Sequence, residues 1–262
     1  ALRFAKVQQW PPHSRWIIDT GEMVKCGNCI HGRVLILSGG WVKTHLTPLR
    51  QIANSRLQPR MPEQTMTHAL LVIDVQNDFC PGGALAVPQG DTIVAGINTL
   101  MSDVSAVILT QDWHPAGHSS FATSHNAAPM SMIDMPYGPQ VLWPDHCIQG
   151  SEGAAFHPAL NTTRADMIIR KGFNPEIDSY SAFFENDHAT PTGLTGYLHT
   201  RGITRLTLVG LATDFCVNYS AVDAAKLGFE VTVRMDLCRA IDFDGSLEAA
   251  VAGMAGAGVA VT

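Results

Sequence analysis

The sequence is short of charge, of aromatic residues and of long apolar runs. Asp, Glu, Lys and Arg make up 15% of its 262 residues, and Phe, Trp and Tyr 7%. No uninterrupted apolar stretch approaches the roughly 20 residues that a bilayer-spanning helix needs, so no membrane segment is expected. Over residues 66–262, eight Lys and Arg stand against 20 Asp and Glu, a net charge of −12 that argues against nucleic acid as a partner of this part. No internal repeat or low-complexity tract appears, which excludes a solenoid. A signal-peptide pattern is also missing, so the six cysteines read as free thiols of a reducing, cytoplasmic protein.

What is present divides unevenly. Residues 1–65 carry nine Lys and Arg against three Asp and Glu, net +6, and contain three Trp, scattered Gly and Pro, and isolated apolar patches such as Val34–Leu37. They complete no repeating unit. Cys26-Gly27-Asn28-Cys29 is a single pair with no second one, so disulfide, zinc half-site and chance all remain open there. Met61 and Met66 stand just before the first convincing strand, and either could mark the start of the folded part. Residues 1–65 are therefore read as an extension and 66–262 as one domain.

From His68 onward, apolar runs and amphipathic stretches alternate. Strands are expected at 69–74, 105–110, 166–170, 205–210, 229–234 and 258–261. Ile93, Ile97, Leu100, Met101 and Val104 mark one helix face; Val217, Ser220, Ala221, Ala224 and Leu227 mark another, closed by Gly228; Leu247, Ala250, Val251 and Met254 mark a third. Six strands joined by crossover helices predict an α/β fold: a doubly wound, mostly parallel six-stranded sheet with helices on both faces. The stretch 113–161, rich in His, Pro and Gly, is too long for an ordinary connector, and long loops at strand ends tend to carry sites.

In such a sheet, ligands bind beyond the carboxyl ends of the strands. Asp74, Asp112, His114, Lys171 and Cys216 all fall there. Cys216 sits where a buried strand turns into a helix, and the peptide dipoles at a helix start favour thiolate. It could instead be a small apolar residue filling the junction. A thiol of ordinary pKa, about 8.5, needs a base and a positive neighbour to act as a nucleophile, and Asp74 and Lys171 supply one of each. Asp112-Trp113-His114 places a carboxylate and an imidazole two residues apart on one side of an extended segment. With His118 and His146 nearby in the long loop, that set suits a divalent ion of the zinc, iron or manganese kind. His125 and His157 read as surface residues.

These residues lie in five ordered blocks. They are Leu70-Leu71-Val72-Ile73-Asp74-Val75-Gln76-Asn77-Asp78-Phe79, Thr110-Gln111-Asp112-Trp113-His114-Pro115, Leu142-Trp143-Pro144-Asp145-His146-Cys147, Arg170-Lys171-Gly172, and the run from Gly210 to Val217. In order and approximate spacing, from Ala69 to the end of the chain, they resemble the nicotinamidase/pyrazinamidase family of the isochorismatase-like hydrolases. The resemblance implies that fold and a catalytic triad of Asp74, Lys171 and Cys216. It also implies metal ligands Asp112, His114 and His146, with His118 as a candidate fourth that has a shorter spacer than the family's. It further implies a cis Leu211–Ala212 peptide, an oxyanion hole from the backbone N–H groups of Ala212 and Cys216, and ring contacts from Phe79 and Trp143, with Tyr180 as a further candidate.

The implied activity is hydrolysis of nicotinamide, and of pyrazinamide, to the acid and ammonia through a Cys thioester, in NAD salvage. One divalent metal would hold the ring nitrogen. The partner would be the small-molecule substrate, not nucleic acid or membrane, with a homo-oligomer left open. Relatives acting on carbamoyl or ureido amides keep the Asp, Lys and Cys but not the Asp-x-His pair, and isochorismatases lack the Cys. A non-catalytic binding homologue is the remaining alternative.

Overall fold

The computed structural model describes Trp16–Asp19, Glu22–Lys25 and residues 68–262. The chain divides into two units, residues 1–59 and 60–262. In the first, β1 (Trp16–Asp19) and β2 (Glu22–Lys25) form an antiparallel pair with Trp16 opposite Lys25. The Cys26/Cys29 pair, the Val34–Leu37 patch and the Met61/Met66 boundary lie outside the described residues.

The second unit is built on one sheet. Its strands are β3 (His68–Ile73), β4 (Ala106–Asp112), β7 (Met167–Lys171), β8 (Arg205–Leu211), β9 (Glu230–Arg239) and β10 (Ala260–Val261), in spatial order β10-β9-β8-β3-β4-β7. Every pairing is parallel. β3 and β4 are buried on both faces, which explains why they read as continuous apolar runs without alternation.

Successive residues of a strand point to opposite faces, and the two faces carry separate cores. Leu71, Ile73, Ile108, Leu208 and Val233 pack on one side with Leu194 and Leu198 of α2 (Leu194–Thr200), Ala221 and Ala224 of α3 (Asn218–Lys226) and Met254 of α4 (Ser246–Gly256). Leu70, Val72, Val107, Leu109 and Val209 pack on the other with Val94, Ile97 and Met101 of α1 (Val94–Met101). The expected doubly wound α/β sheet with helices on both faces is therefore what forms.

The strand boundaries move in instructive ways. β4 runs two residues past Thr110 because Gln111 and Asp112 pair with Arg170 and Lys171 of β7. β9 continues to Arg239 through an irregularity beside Leu208 and Gly210. The long loop holds a small antiparallel hairpin, β5 (Met132–Met135) with β6 (Gly138–Val141), which weak alternation had hidden.

From β3 the chain builds outward to β4 and β7, then returns to the other side of β3 for β8, β9 and β10. The direction of winding thus reverses between β3 and β8. A doubly wound sheet opens its ligand crevice at such a point, at the carboxyl ends of the strands. Asp74 follows β3 and Cys216 lies just beyond β8. Gly210 allows β8 to pass closely there: its φ is +122°, and a Cβ on it would collide with the Ile73 backbone.

Candidate active site

Asp74 ends β3 in left-handed backbone, φ +48°, a conformation Asp tolerates better than most residues. Its side chain is fully buried; Thr110 donates to Oδ1 at 2.5 Å, and Oδ2 lies 2.9 Å from Lys171 Nζ. Lys171, the last residue of β7, is also buried, and its ammonium reaches Asp112 Oδ1 at 3.0 Å, the Ser179 carbonyl at 2.8 Å and Cys216 Sγ at 3.5 Å. Cys216 Sγ and Asp74 Oδ2 share the ammonium of Lys171. The three residues at successive strand ends thus converge on one another.

Cys216 belongs to a wide turn, Thr213–Val217, that feeds α3, and the Leu211–Ala212 peptide before it is cis. The N–H groups of Phe215 and Val217 both donate to the Ala212 carbonyl. The pull of a helix start toward thiolate is not the deciding influence on Cys216. Burial pushes the thiol well above its ordinary pKa, Lys171 pulls it down, and the Asp74 and Asp112 carboxylates push it up again. The dipole of a turn is outweighed by desolvation, so Cys216 rests as a thiol and needs a base to ionise it. Burial likewise raises Asp74, against the pull of Lys171, which makes it a better proton acceptor. Burial opposes the Lys171 charge, but Asp112 and Asp74 overcome it and hold the amine protonated far above the usual lysine range.

Beside this triad, Asp112 Oδ2 lies 3.0 Å from His114 Nε2 and 3.5 Å from His146 Nε2. One ligand atom from each of the three buried residues falls within 4.8 Å of the others. The Nδ1 of His114 is 2.8 Å from the Gly172 carbonyl and that of His146 is 2.7 Å from the Pro144 carbonyl. A carbonyl can only accept, so Nδ1 donates in both rings, which leaves Nε2 as the ring atom turned toward Asp112 and the one a metal would take. One carboxylate and two such imidazoles fit a divalent ion with positions left over for a further ligand. Gly172 makes room for the cluster: at φ +67° its missing Cβ would collide with the His114 ring and Asp112.

His118 stands differently. It shares a second group with His114 and Asp178, but its Nε2 donates to the Asn174 carbonyl at 2.8 Å and its Nδ1 accepts from Ser120. With both ring nitrogens committed, the geometry sets it aside from the Asp112, His114 and His146 ligand group.

A narrow cavity of about 20 Å³ opens between the two clusters, lined by Phe79, Leu85, Trp143, Tyr180, Phe215 and Ile241 on its apolar side and by Asp112, His146, Asp178, Ala212 and Cys216 on its polar side. All three aromatic residues expected at the substrate ring line it. Tyr180 also accepts from Trp143 Nε1 at 3.1 Å, which fixes the indole. A larger, open groove over Gln111, Met167 and Arg170 carries none of these groups.

Sequence reasoning missed several supporting residues. Gln76, fully buried, accepts from the Asp112 N–H at 2.7 Å and donates to the Asp112 carbonyl at 2.8 Å, so it braces that residue as a neighbouring strand would. Its place two residues after Asp74 was visible; the partner it braces, 36 residues away, was not. Thr110, Gly172, Gln140 and Asp178 were missed for the same reason, since their partners lie far along the chain.

Residues 68–262 match the isochorismatase domain family. The nicotinamidase of Acinetobacter baylyi is 52% identical over 204 residues, 78% of this chain and 95% of that protein. The solved Acinetobacter baumanii nicotinamidase/pyrazinamidase is 55% identical, with a TM-score of 0.74 over 76% of this chain and 97% of that one. The solved pyrazinamidase of Pyrococcus horikoshii, in complex with zinc, is 33% identical, with a TM-score of 0.60 over 75% of this chain and 98% of that one. The chain belongs to the isochorismatase family, in its nicotinamidase branch.

Proposed function

We propose that the chain is an amidohydrolase that converts nicotinamide to nicotinate and ammonia, and pyrazinamide to pyrazinoate, through a thioester on Cys216. The observation that carries this reading is the buried Asp74–Lys171–Cys216 cluster standing against an aromatic pocket whose other wall holds Asp112 and His146. The shared descent from nicotinamidases supplies the substrate class. Residues 66–262 would form the whole hydrolase domain, with 1–65 outside it and the enzyme working in the cytoplasm. Among the described residues, no helix is long and apolar enough to cross a membrane.

A bound divalent ion, zinc in the first instance with iron and manganese as alternatives, would be held by Asp112, His114 and His146 and would supply Lewis acidity toward the ring nitrogen. Phe79, Trp143 and Tyr180 would flank the ring and exclude water from it. Holding the carboxamide against Sγ removes much of the entropic cost of attack. Asp74 takes the thiol proton as Sγ bonds to the carbonyl carbon, and the backbone N–H groups of Ala212 and Cys216 stabilise the oxyanion. Asp74 then returns that proton to the leaving nitrogen, the C–N bond breaks, and ammonia departs. Water attacks the thioester and gives a proton to Asp74, the C–S bond breaks to release the carboxylic acid, and Asp74 returns the proton to Sγ to restore the thiol. Lys171 stays protonated throughout and offsets the charge passing between Asp74 and Sγ.

The test is release of ammonia and nicotinate from nicotinamide by the full chain as isolated, after chelation, and after zinc is restored. Release that is lost on chelation and recovered with zinc is expected. No release in any state, from folded protein, would overturn the reading and turn attention to carbamoyl or ureido amides.

A further inference from the structure

Asp178 has no part in the chemistry above, yet it is 2% exposed and lines the pocket together with Asp112 and His146. Its Oδ2 accepts from Gln140 Nε2 at 2.7 Å and its Oδ1 from the Ser179 N–H at 2.8 Å. Oδ1 also lies 4.0 Å from His114 Nε2, too long for a direct hydrogen bond and short enough for one intervening oxygen. Asp178 groups with His114 and His118, within 4.8 Å, rather than with Asp112 and His146. It therefore stands beside the ligand group and outside it.

Charge points the same way. Asp74, Asp112 and Asp178 are all buried in one site whose buried ammonium is that of Lys171. Three buried carboxylates stand there against the Lys171 ammonium and the His114 and His146 imidazoles, and buried charge is costly unless compensated. A divalent cation held by Asp112, His114 and His146 would add compensating charge, and Asp178 lines the same pocket as Asp112 and His146.

We infer that Asp178 is an outer carboxylate of the metal site, which accepts a hydrogen bond from a water bound to the ion and so helps to retain it. The inference rests on Asp112, His114 and His146 being the ligands. It assigns Asp178 a positioning role, with the Ser179 N–H orienting its carboxylate through Oδ1. Outer partners of this kind are worth about 10–100-fold in metal affinity.

The test is titration of the full chain, stripped of metal, with Zn2+ in competition with a chromophoric chelator, together with the visible spectrum of the Co2+-loaded protein. Asp178→Asn is expected to weaken Zn2+ binding about 10-fold or more and to shift the Co2+ bands. Gln140→Met, which keeps the carboxylate, is expected to stay within about threefold of the parent. Asp178→Ser serves as the second truncation should the Asn variant misfold, with far-ultraviolet circular dichroism as the check. Parental affinity and an unchanged spectrum in a folded Asp178 variant would overturn the inference, and so would an equal loss in Gln140→Met, since that marks a purely structural role. His114→Ala separates the two levels of the account. If it binds Zn2+ as the parent does, the ligand assignment itself fails; if it loses Zn2+ while Asp178→Asn does not, only the role of Asp178 fails.

Discussion

Lys171 donates to Asp112 Oδ1 at 3.0 Å, while the other oxygen of the same carboxylate faces His114 and His146. One Asp thus belongs to both halves of the site: it anchors the ammonium that sits against Cys216, and it offers its free oxygen to a metal. The arrangement follows from register, because Asp112 and Lys171 are paired opposite each other at the ends of β4 and β7. Sheet pairing therefore sets the distance between the proposed nucleophile and the proposed metal ligands, and a change in either strand end is felt in both.

The state of Asp74 sets the acid limb of activity. Burial raises its pKa above 3.8, with Lys171 opposing. Only the ionised form can take the thiol proton, so kcat/KM is expected to fall as pH drops through a pKa above 3.8. The sign for stability is the reverse of the usual carboxylate case. The folded state binds this proton more tightly than the unfolded one, so the contribution of Asp74 is fully present below pH 3.8 and is lost as pH rises through the folded pKa. A pH profile of kcat/KM flat down to pH 3.8, with the protein folded, would contradict this.

Gly172 is expected to accept no side chain. Gly172→Ala places a β-carbon in left-handed backbone and against the His114 ring and Asp112. The strain costs about 1–3 kcal/mol of stability, and the displaced imidazole weakens metal binding about 10-fold or more. Thermal unfolding and Zn2+ titration read the two effects; parental Zn2+ affinity in the Ala variant would show that the ring has room to move.

Gln76→Leu removes a brace without changing the bulk of the core greatly. It leaves the N–H and C=O of Asp112 short of a partner, while the Ala154 carbonyl keeps Gln111 Nε2. Each buried group left unpaired costs about 1–3 kcal/mol, so denaturant unfolding should report a loss of several kcal/mol. Activity is expected to fall with it, because Asp112 loses its fixed position. A loss under about 1 kcal/mol would mean that water replaces the amide.

The sheet was legible because each of its strands is a run of buried residues with a helix face or a turn beside it, and residues 69–74 and 205–210 needed no partner to declare themselves. The reactive side chains were legible because strand ends are where a doubly wound sheet puts them. What escaped depends on distance along the chain. Gln76 and Asp112 are 36 residues apart, and Gln140 and Asp178 38; neither amide carries a local signal of the partner it holds. The β5–β6 hairpin escaped because its residues are half exposed and barely alternate. The strength with which burial holds Cys216 as a thiol escaped for another reason: motif position suggests a dipole, while burial comes only from packing.

The measurement that bears most directly on the central claim is the mass of the peptide carrying Cys216 after an acid quench during turnover of nicotinamide, alongside ammonia release by Cys216→Ala. The account predicts a gain of one nicotinoyl group on that peptide in the parent. In the variant it predicts no gain and a fall in turnover on the order of 10⁴-fold or more, with metal binding retained. A Cys216→Ala protein that releases ammonia at near the parental rate, or a parent that turns over with Cys216 never acylated, would contradict it.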